Sequence, residues 1–353
     1  MKRMPNRTVL LPDRPGTPPM AALPEPEVLD IPALLSDYES GRVELICVLG
    51  PTASGKTRFA VSLARELNRL RAASGSPRAG AEILSADSRQ VYRGMDIGTG
   101  KDLAEYGEIP YHLIDLVPAG SRYNLYAWQQ AFEEAYRSVR DRGGIPILCG
   151  GTGLYIEAAV RAYLLPVFAP DPARRAAWER LSHEELRRRV LELRPDTPEG
   201  VLQSKKRTVR ALEVAVYERE HPAERTGFQP KKTFFIGTLV GREERVARID
   251  RRLAERLGET PAGNPLSAPE SASGPGTLVG EVRALLAAGI APEDLMYYGL
   301  EYKYVTQYVL GILSYEEMKI LLSNAIHQFA KRQMTWFRGM ERREGVHIHW
   351  VRP

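Results

Sequence analysis

ELICVL (residues 44–49) runs without a break into GPTASGKT (residues 50–57), and Phe59, Ala60, Leu63, Ala64 and Leu67 follow at helical spacing. A continuous apolar run of this length predicts a strand buried on both faces of a parallel sheet. The spacing after it predicts an amphipathic helix. Between them, Gly50, Pro51, Thr52, Ala53, Ser54, Gly55, Lys56 and Thr57 have the form of a phosphate-binding loop. Backbone N–H groups converge there on phosphate oxygens at a helix N-terminus, Lys56 adds a cation, and the Thr57 hydroxyl is a ligand for Mg²⁺. The loop alone does not select its compound. A kinase, an ATPase and a transferase that expels diphosphate all need the same cradle.

The rest of the chain repeats the strand–helix alternation. AEILS (81–85), YHLIDL (111–116), IPILC (145–149) and TFFIGTLV (233–240) read as strands, and VHIHWV (346–351) as a short last one. Leu125, Trp128, Phe132, Ala135 and Val139 mark a helix that Gly143-Gly144 ends, and a long helix starts at the Ser314/Glu317 capping box and runs to about Gly339. The fold class expected is α/β: a P-loop NTPase-like core with a largely parallel sheet, plus a smaller all-helical insertion domain. The core is expected over 41–165 and 230–353, and the helical insertion over 166–229, with a capping box at Ser182/Glu185. Residues 1–40 hold Pro5, Pro12, Pro15, Pro18, Pro19, Pro24, Pro26 and Pro32 and are expected to form a tail without regular structure, apart from a short helix near 29–38. Residues 258–277, with Pro261, Pro265, Pro269 and Pro275, are expected to be a flexible insertion.

Composition excludes several classes. No apolar run reaches the roughly 20 residues of a membrane span, and no signal-peptide core precedes the first strand, so a cytoplasmic protein is expected. Two cysteines, Cys47 and Cys149, support neither a disulfide scaffold nor a four-ligand zinc site, and both are expected in the core. The net charge of +5 is too small to identify a partner by itself. The histidines show no metal spacing with other ligands, and His347 and His349 are expected on one face of a surface strand.

Other residues add chemistry near the strand ends. Asp87 in SADSRQVYRG (85–94) follows a strand, and its carboxylate could serve as a base, a Mg²⁺ ligand or a turn cap. Gly150-Gly151-Thr152-Gly153 permits close backbone approach to a ligand or, equally, a tight turn with Thr152 as a helix cap. Asp115 offers a further carboxylate. Lys205, Lys206, Arg207 and Arg210 open a helix as a basic run, and Arg332, Trp336, Arg338, Arg342 and Arg343 form another, with Trp336 expected in the core.

GPTASGKT, SADSRQVYRGMDIGTGK, HLID and GGTGLY, in this order and spacing, closely resemble the tRNA dimethylallyltransferases. AKRQMTWFRG (330–339) and RALEV (210–214) strengthen the likeness, which covers about residues 44–350. The resemblance implies transfer of a dimethylallyl group from dimethylallyl diphosphate to N6 of the adenine 3′-adjacent to the anticodon. Residues 50–57 would bind the diphosphate, with Mg²⁺ on Thr57 as cofactor. Lys56, Asp87, Thr152 and Arg175 would be catalytic, Asp87 as base, with Arg174 a one-residue alternative to Arg175. Asp87, Ser88, Arg89 and Gln90 would hold a flipped-out adenine, and Lys206, Arg207 and Arg210 would contact the anticodon stem-loop. A monomer is expected, with tRNA and dimethylallyl diphosphate as its partners and no membrane. Prenyl transfer to free AMP or ADP, a small-molecule kinase and an inactive RNA-binding relative are the alternatives. The chain departs from the family pattern at Gly100-Lys101-Asp102, Tyr111-His112, Lys206-Arg207 and Glu301-Tyr302-Lys303, and its insertion is shorter than usual.

Overall fold

The computed structural model describes residues 23–163, 165, 171–221, 228–259, 274 and 276–353. The Pro-rich segment up to residue 22 and most of the expected flexible insertion lie outside the described residues. Six strands form one sheet: β1 (Leu45–Leu49), β2 (Ala81–Ser85), β4 (Tyr111–His112), β6 (Ile145–Gly150), β7 (Thr233–Thr238) and β8 (Ile348–Val351), in the order β4-β2-β6-β1-β7-β8. Every pairing is parallel, and β1 lies between β6 and β7, with Ile46 opposite both Ile147 and Phe234. Two short strands, β3 (Tyr92–Arg93) and β5 (Val117–Pro118), pair separately.

The apolar run of β1 divides between two cores, as a period of two requires. Leu45, Cys47 and Leu49 face one layer with Trp128, Phe132 and Phe337, while Ile46 and Val48 face another with Leu63, Leu67 and Ile147. Helices α2 (Lys56–Ala73) and α3 (Leu125–Asp141) supply these contacts from opposite faces, and α4 (Gly153–Val160) follows β6. The class is α/β with a phosphate-loop core, as the sequence predicts.

The short helix expected near 29–38 forms, and two other expectations need correction. That helix, α1 (Ile31–Glu39), is capped by Asp30, which accepts the Ala33 N–H at 2.9 Å, and it buries Leu34 and Tyr38. Apolar contacts and the Tyr38 hydroxyl, which donates to the Gly144 carbonyl at 2.6 Å, overcome the surrounding prolines. The strand expected over 111–116 stops at His112, because Leu113 and Asp115 take positive φ of 67° and 57°. The chain turns there so that the Asp115 N–H reaches the Gln90 carbonyl at 3.0 Å and Val117 joins β5. The last helix also runs past Gly339, to Glu344.

Helices α5 (Pro172–Arg180), α6 (His183–Leu193) and α7 (Lys205–Glu220) share a small core of Leu186, Val190, Leu202, Val209 and Leu212. The Ser182 hydroxyl accepts the Glu185 N–H at 3.1 Å and starts α6. After β7 come α8 (Arg242–Arg256), α9 (Leu278–Ala287), α10 (Pro292–Tyr298), α11 (Leu300–Val309) and α12 (Tyr315–Glu344). At Ser314 both halves of the predicted capping box form. Among the described residues no helix is long and apolar enough to cross a membrane.

Gly150 ends β6 so close to β2 that a Cβ there would lie 2.3 Å from the Ala86 carbonyl oxygen. Because that neighbour is backbone, Gly150→Ala should cost about 1–3 kcal/mol, read as a lower urea midpoint with an unchanged slope.

Candidate active site

The parallel arrangement sets the carboxyl ends of β1, β2 and β6 side by side, where open α/β sheets bind ligands. Each end leads into a loop already marked in the sequence, and the three loops meet. Gly50 leaves β1 against Thr238, whose hydroxyl a Cβ at position 50 would approach to 2.1 Å. The Ser54 and Thr238 hydroxyls share a 2.7 Å hydrogen bond. Ala53 and Gly55 take positive φ, and α2 begins at Lys56.

The loops face a cavity of about 560 Å³. Thr52, Lys56, Thr57, Asp87, Ser88, Arg89, Gln90 and Thr152 line it, so predicted diphosphate, acceptor and catalytic residues share one space. Burial lowers the pKa of the Lys56 ammonium, and the Asp87 carboxylate opposes that shift. Asp87 Oδ1 accepts the Arg89 N–H at 2.9 Å, which orients the carboxylate at the cavity wall. The Thr152 hydroxyl is not a helix cap. It accepts the Ser88 N–H at 3.1 Å and joins the β2 and β6 loops. Gln90 is also held at both ends, accepting from the Ser85 hydroxyl at 2.9 Å and donating to the Gly100 carbonyl at 3.3 Å.

Several wall residues were given no place in the site by the sequence, although Gln333 and Trp336 lie in the AKRQMTWFRG stretch. Gln333 of α12 accepts the Thr52 N–H at 2.8 Å and donates to the Gly151 carbonyl at 2.9 Å, bridging two loops with one amide. Trp336, one turn further, is 37% exposed and lines the cavity instead of the core. It packs so tightly on Gly153 that a Cβ there would approach its ring to 2.2 Å. Arg252 and Arg256 reach the cavity from α8. Arg256 pairs with Glu301 at 3.4 Å, and burial pushes the Glu301 carboxyl above its ordinary range. The Glu281 carboxylate accepts the N–H groups of Asp96, Ile97 and Gly98 at 2.7, 2.7 and 3.0 Å, fixing the loop whose Gly98, Thr99 and Gly100 form another wall. Only the tertiary fold gives these groups their roles, since a Gln, Arg or Glu on a helix reads by itself as solvated surface.

Not every expected residue reaches the cavity. Arg175 on α5 pairs with buried Glu213 at 3.4 Å and with Glu179 at 3.3 Å, and it is not among the lining residues. Arg174 pairs with Glu220 at 3.2 Å. Lys206 and Arg207 are exposed on α7, whereas Arg210 also pairs with Glu213, at 2.9 Å. Asp115 is held by the buried Lys101 ammonium at 2.5 Å, together with Asp96 at 2.6 Å, as a structural ion pair. The Cys149 thiol lines the cavity beside Thr57, and burial pushes it up to about 12, so it stays neutral. Hydroxyl and carboxylate oxygens from Thr57 and Asp87 face the cavity as the hard donors that Mg²⁺ takes alongside phosphate oxygens.

A phosphate loop, a strand-end carboxylate and a cationic wall around one cavity define a phosphate-loop enzyme. The sequence pattern of the family described as IPP transferase matches residues 90–262 and 273–340. The chain is 48% identical over 311 residues to tRNA dimethylallyltransferase 1 of Porphyromonas gingivalis, covering 87% of this chain and 93% of that protein. It is 45% identical over 312 residues to tRNA dimethylallyltransferase 1 of Parabacteroides distasonis, covering 87% and 92%. The crystal structure of the tRNA isopentenylpyrophosphate transferase of Bacillus halodurans matches with a TM-score of 0.57 and 28% identity, over 87% of this chain and 89% of that one. The chain belongs to the IPP transferase family and is a prenyl-transferring enzyme.

Replacing Gln333 with Leu removes both bridging hydrogen bonds and strands the Thr52 N–H. Urea denaturation should show a loss of about 1–3 kcal/mol.

Proposed function

We propose that the dimethylallyl transfer to tRNA performed by this chain takes place in the cavity between residues 50–57, Asp87 and α12. Dimethylallyl diphosphate is the donor, and N6 of the adenine 3′-adjacent to the anticodon is the acceptor. The observation that carries this assignment is that Lys56, Thr57 and Asp87 line the same cavity. A kinase could use the same loop and the same carboxylate, so membership of the IPP transferase family is what favours prenyl over phosphoryl transfer.

The diphosphate lies on the phosphate-loop amides, with Lys56 against its oxygens and Arg252 and Arg256 beside it. Attack by N6 on the first prenyl carbon forms the C–N bond as that carbon's bond to the diphosphate oxygen breaks. Asp87 takes the proton that N6 loses, and diphosphate leaves with the electron pair. Lys56 and the arginines stabilise the charge that grows on the leaving group, in a pocket shielded from water. Thr57 would hold Mg²⁺, and the ion would supply further charge neutralisation at the diphosphate. Thr152 positions the Ser88 amide beside the acceptor. Arg89 reaches the adenine from the cavity wall, while Gln90 shapes that wall through its two internal hydrogen bonds. Arg175 is assigned to holding α5 on α7 through Glu213, outside the reacting groups. The adenine must leave the anticodon-loop stack to enter, a step that α12 and the exposed Lys206 and Arg207 assist by gripping the stem-loop. The enzyme works as a single chain in the cytoplasm.

With labelled dimethylallyl diphosphate and Mg²⁺, label should appear on unmodified tRNA and not on AMP or ADP. Asp87→Ala should slow transfer about 10²–10⁴-fold with donor affinity nearly unchanged, and Lys56→Ala about 10²–10³-fold with weaker donor binding. Label confined to AMP or ADP overturns the tRNA assignment, and a near-wild-type rate for Asp87→Ala overturns the base assignment. Replacing Lys206 and Arg207 together with Ala should lower the slope of log affinity for tRNA against log salt by about 1.5. An unchanged slope removes α7 from the interface.

A further inference from the structure

The two histidines that read as one face of a surface strand acquire a third partner that no local spacing could reveal. His347 and His349 lie two residues apart at and before β8, so their side chains share a face. The N-terminal segment crosses this edge of the sheet, where the Glu27 N–H donates to the Trp350 carbonyl at 2.6 Å. That backbone bond sets the Glu27 carboxylate over both rings. Its Oε2 lies 2.7 Å from His349 Nδ1, and its Oε1 lies 3.4 Å from His347 Nε2. One ligand atom from each of the three side chains falls within 4.8 Å of the others. The His349 ring is held in place by stacking on Phe234, at 4.3 Å between centroids and 10° between planes. Glu27 and His347 are exposed, so an ion has an open path.

We propose that Glu27, His347 and His349 form a binding site for Zn²⁺ that clamps the N-terminal segment to the last strand. Two imidazoles and one carboxylate suit Zn²⁺ better than Mg²⁺ or Ca²⁺, which take oxygen donors. Ligands at about 2.0–2.2 Å in a tetrahedron stand roughly 3.3–3.6 Å apart. The 3.4 Å and 2.7 Å contacts use different oxygens of Glu27, and with the three ligand atoms within 4.8 Å of one another, shifts of about 1 Å bring them to that spacing. Three protein ligands leave one position for water. The site is remote in kind from the prenyl-transfer cavity, since none of the three residues lines it. Its effect is on the chain ends: the segment that Glu27 anchors continues back through Leu23–Pro26, which with Arg248 and Pro353 lines a separate cavity.

The test uses the full chain, stripped with a chelator and held in excess Mg²⁺ so that oxygen-donor sites in the prenyl-transfer cavity are filled. Calorimetric titration with Zn²⁺ should show one saturable site per chain. Glu27→Gln, His347→Ala and His349→Ala should each weaken it at least about tenfold, while His221→Ala leaves it unchanged. Zn²⁺ should raise the melting temperature of the wild type and not of Glu27→Gln, a variant of nearly the same shape. Tetrahedral d–d absorption from Co²⁺ should vanish in the same three variants. Absence of saturable binding overturns the site. Binding that survives Glu27→Gln at wild-type affinity overturns the clamp, since the N-terminal segment would then take no part.

Discussion

Everything at the active end of this protein depends on how closely three strand ends approach one another. Gly50 and Gly150 sit against Thr238 and the Ala86 carbonyl at distances that admit no side chain. That crowding sets the phosphate loop, the Asp87 loop and the Gly150–Gly153 loop side by side, and the second and third bond directly, Thr152 N–H to the Ala86 carbonyl and Ser88 N–H to the Thr152 hydroxyl. The Gln333 amide then closes the gap between the first and the third. A catalytic constellation must be held to within a fraction of an ångström, and rigid strand termini tied by backbone bonds do this better than free loops.

Lys206 and Arg207 apart, the departures from the family pattern noted in the sequence include residues with internal partners. Lys101 is buried and bonds the Tyr92 carbonyl, Asp96 and Asp115. Glu301 pairs with Arg256, and His112 lies 2.7 Å from Glu82, which also pairs with Arg142. Buried charges persist only when paired, so these changes are coupled to their surroundings. Of these residues Glu301 and Arg256 line the reaction cavity, while Lys101 and His112 lie outside its lining, and none belongs to the diphosphate loop.

How far the sequence could be read depended on whether a residue's role was local. β1, the phosphate loop and α2 are contiguous, and strand burial, glycine backbone and helix spacing agree over one short span. The Ser314/Glu317 box is likewise local, and it forms in full. YHLIDL misled because apolar character says nothing of the turn that Leu113 and Asp115 make. Trp336 misled because an aromatic residue on a helix is as suited to a cavity rim as to a core. The family resemblance implied a place for Arg175 among the reacting groups, and its guanidinium pairs with Glu213 on another helix.

From the sequence alone came the α/β class, the phosphate loop, the pairing of Lys56 and Thr57 with a strand-end carboxylate, and the likeness to prenyl transferases. Each rests on near-neighbour pattern, where one residue's chemistry constrains the next. Tertiary structure alone decided that Gln333 bridges two loops, that Arg252 and Arg256 line the cavity while Glu281 fixes the loop of another wall, and that Glu27 meets His347 and His349. Those contacts join residues separated by long stretches of chain. Chain distance carries no information about which helix face or strand edge will be brought against which, and packing supplies it.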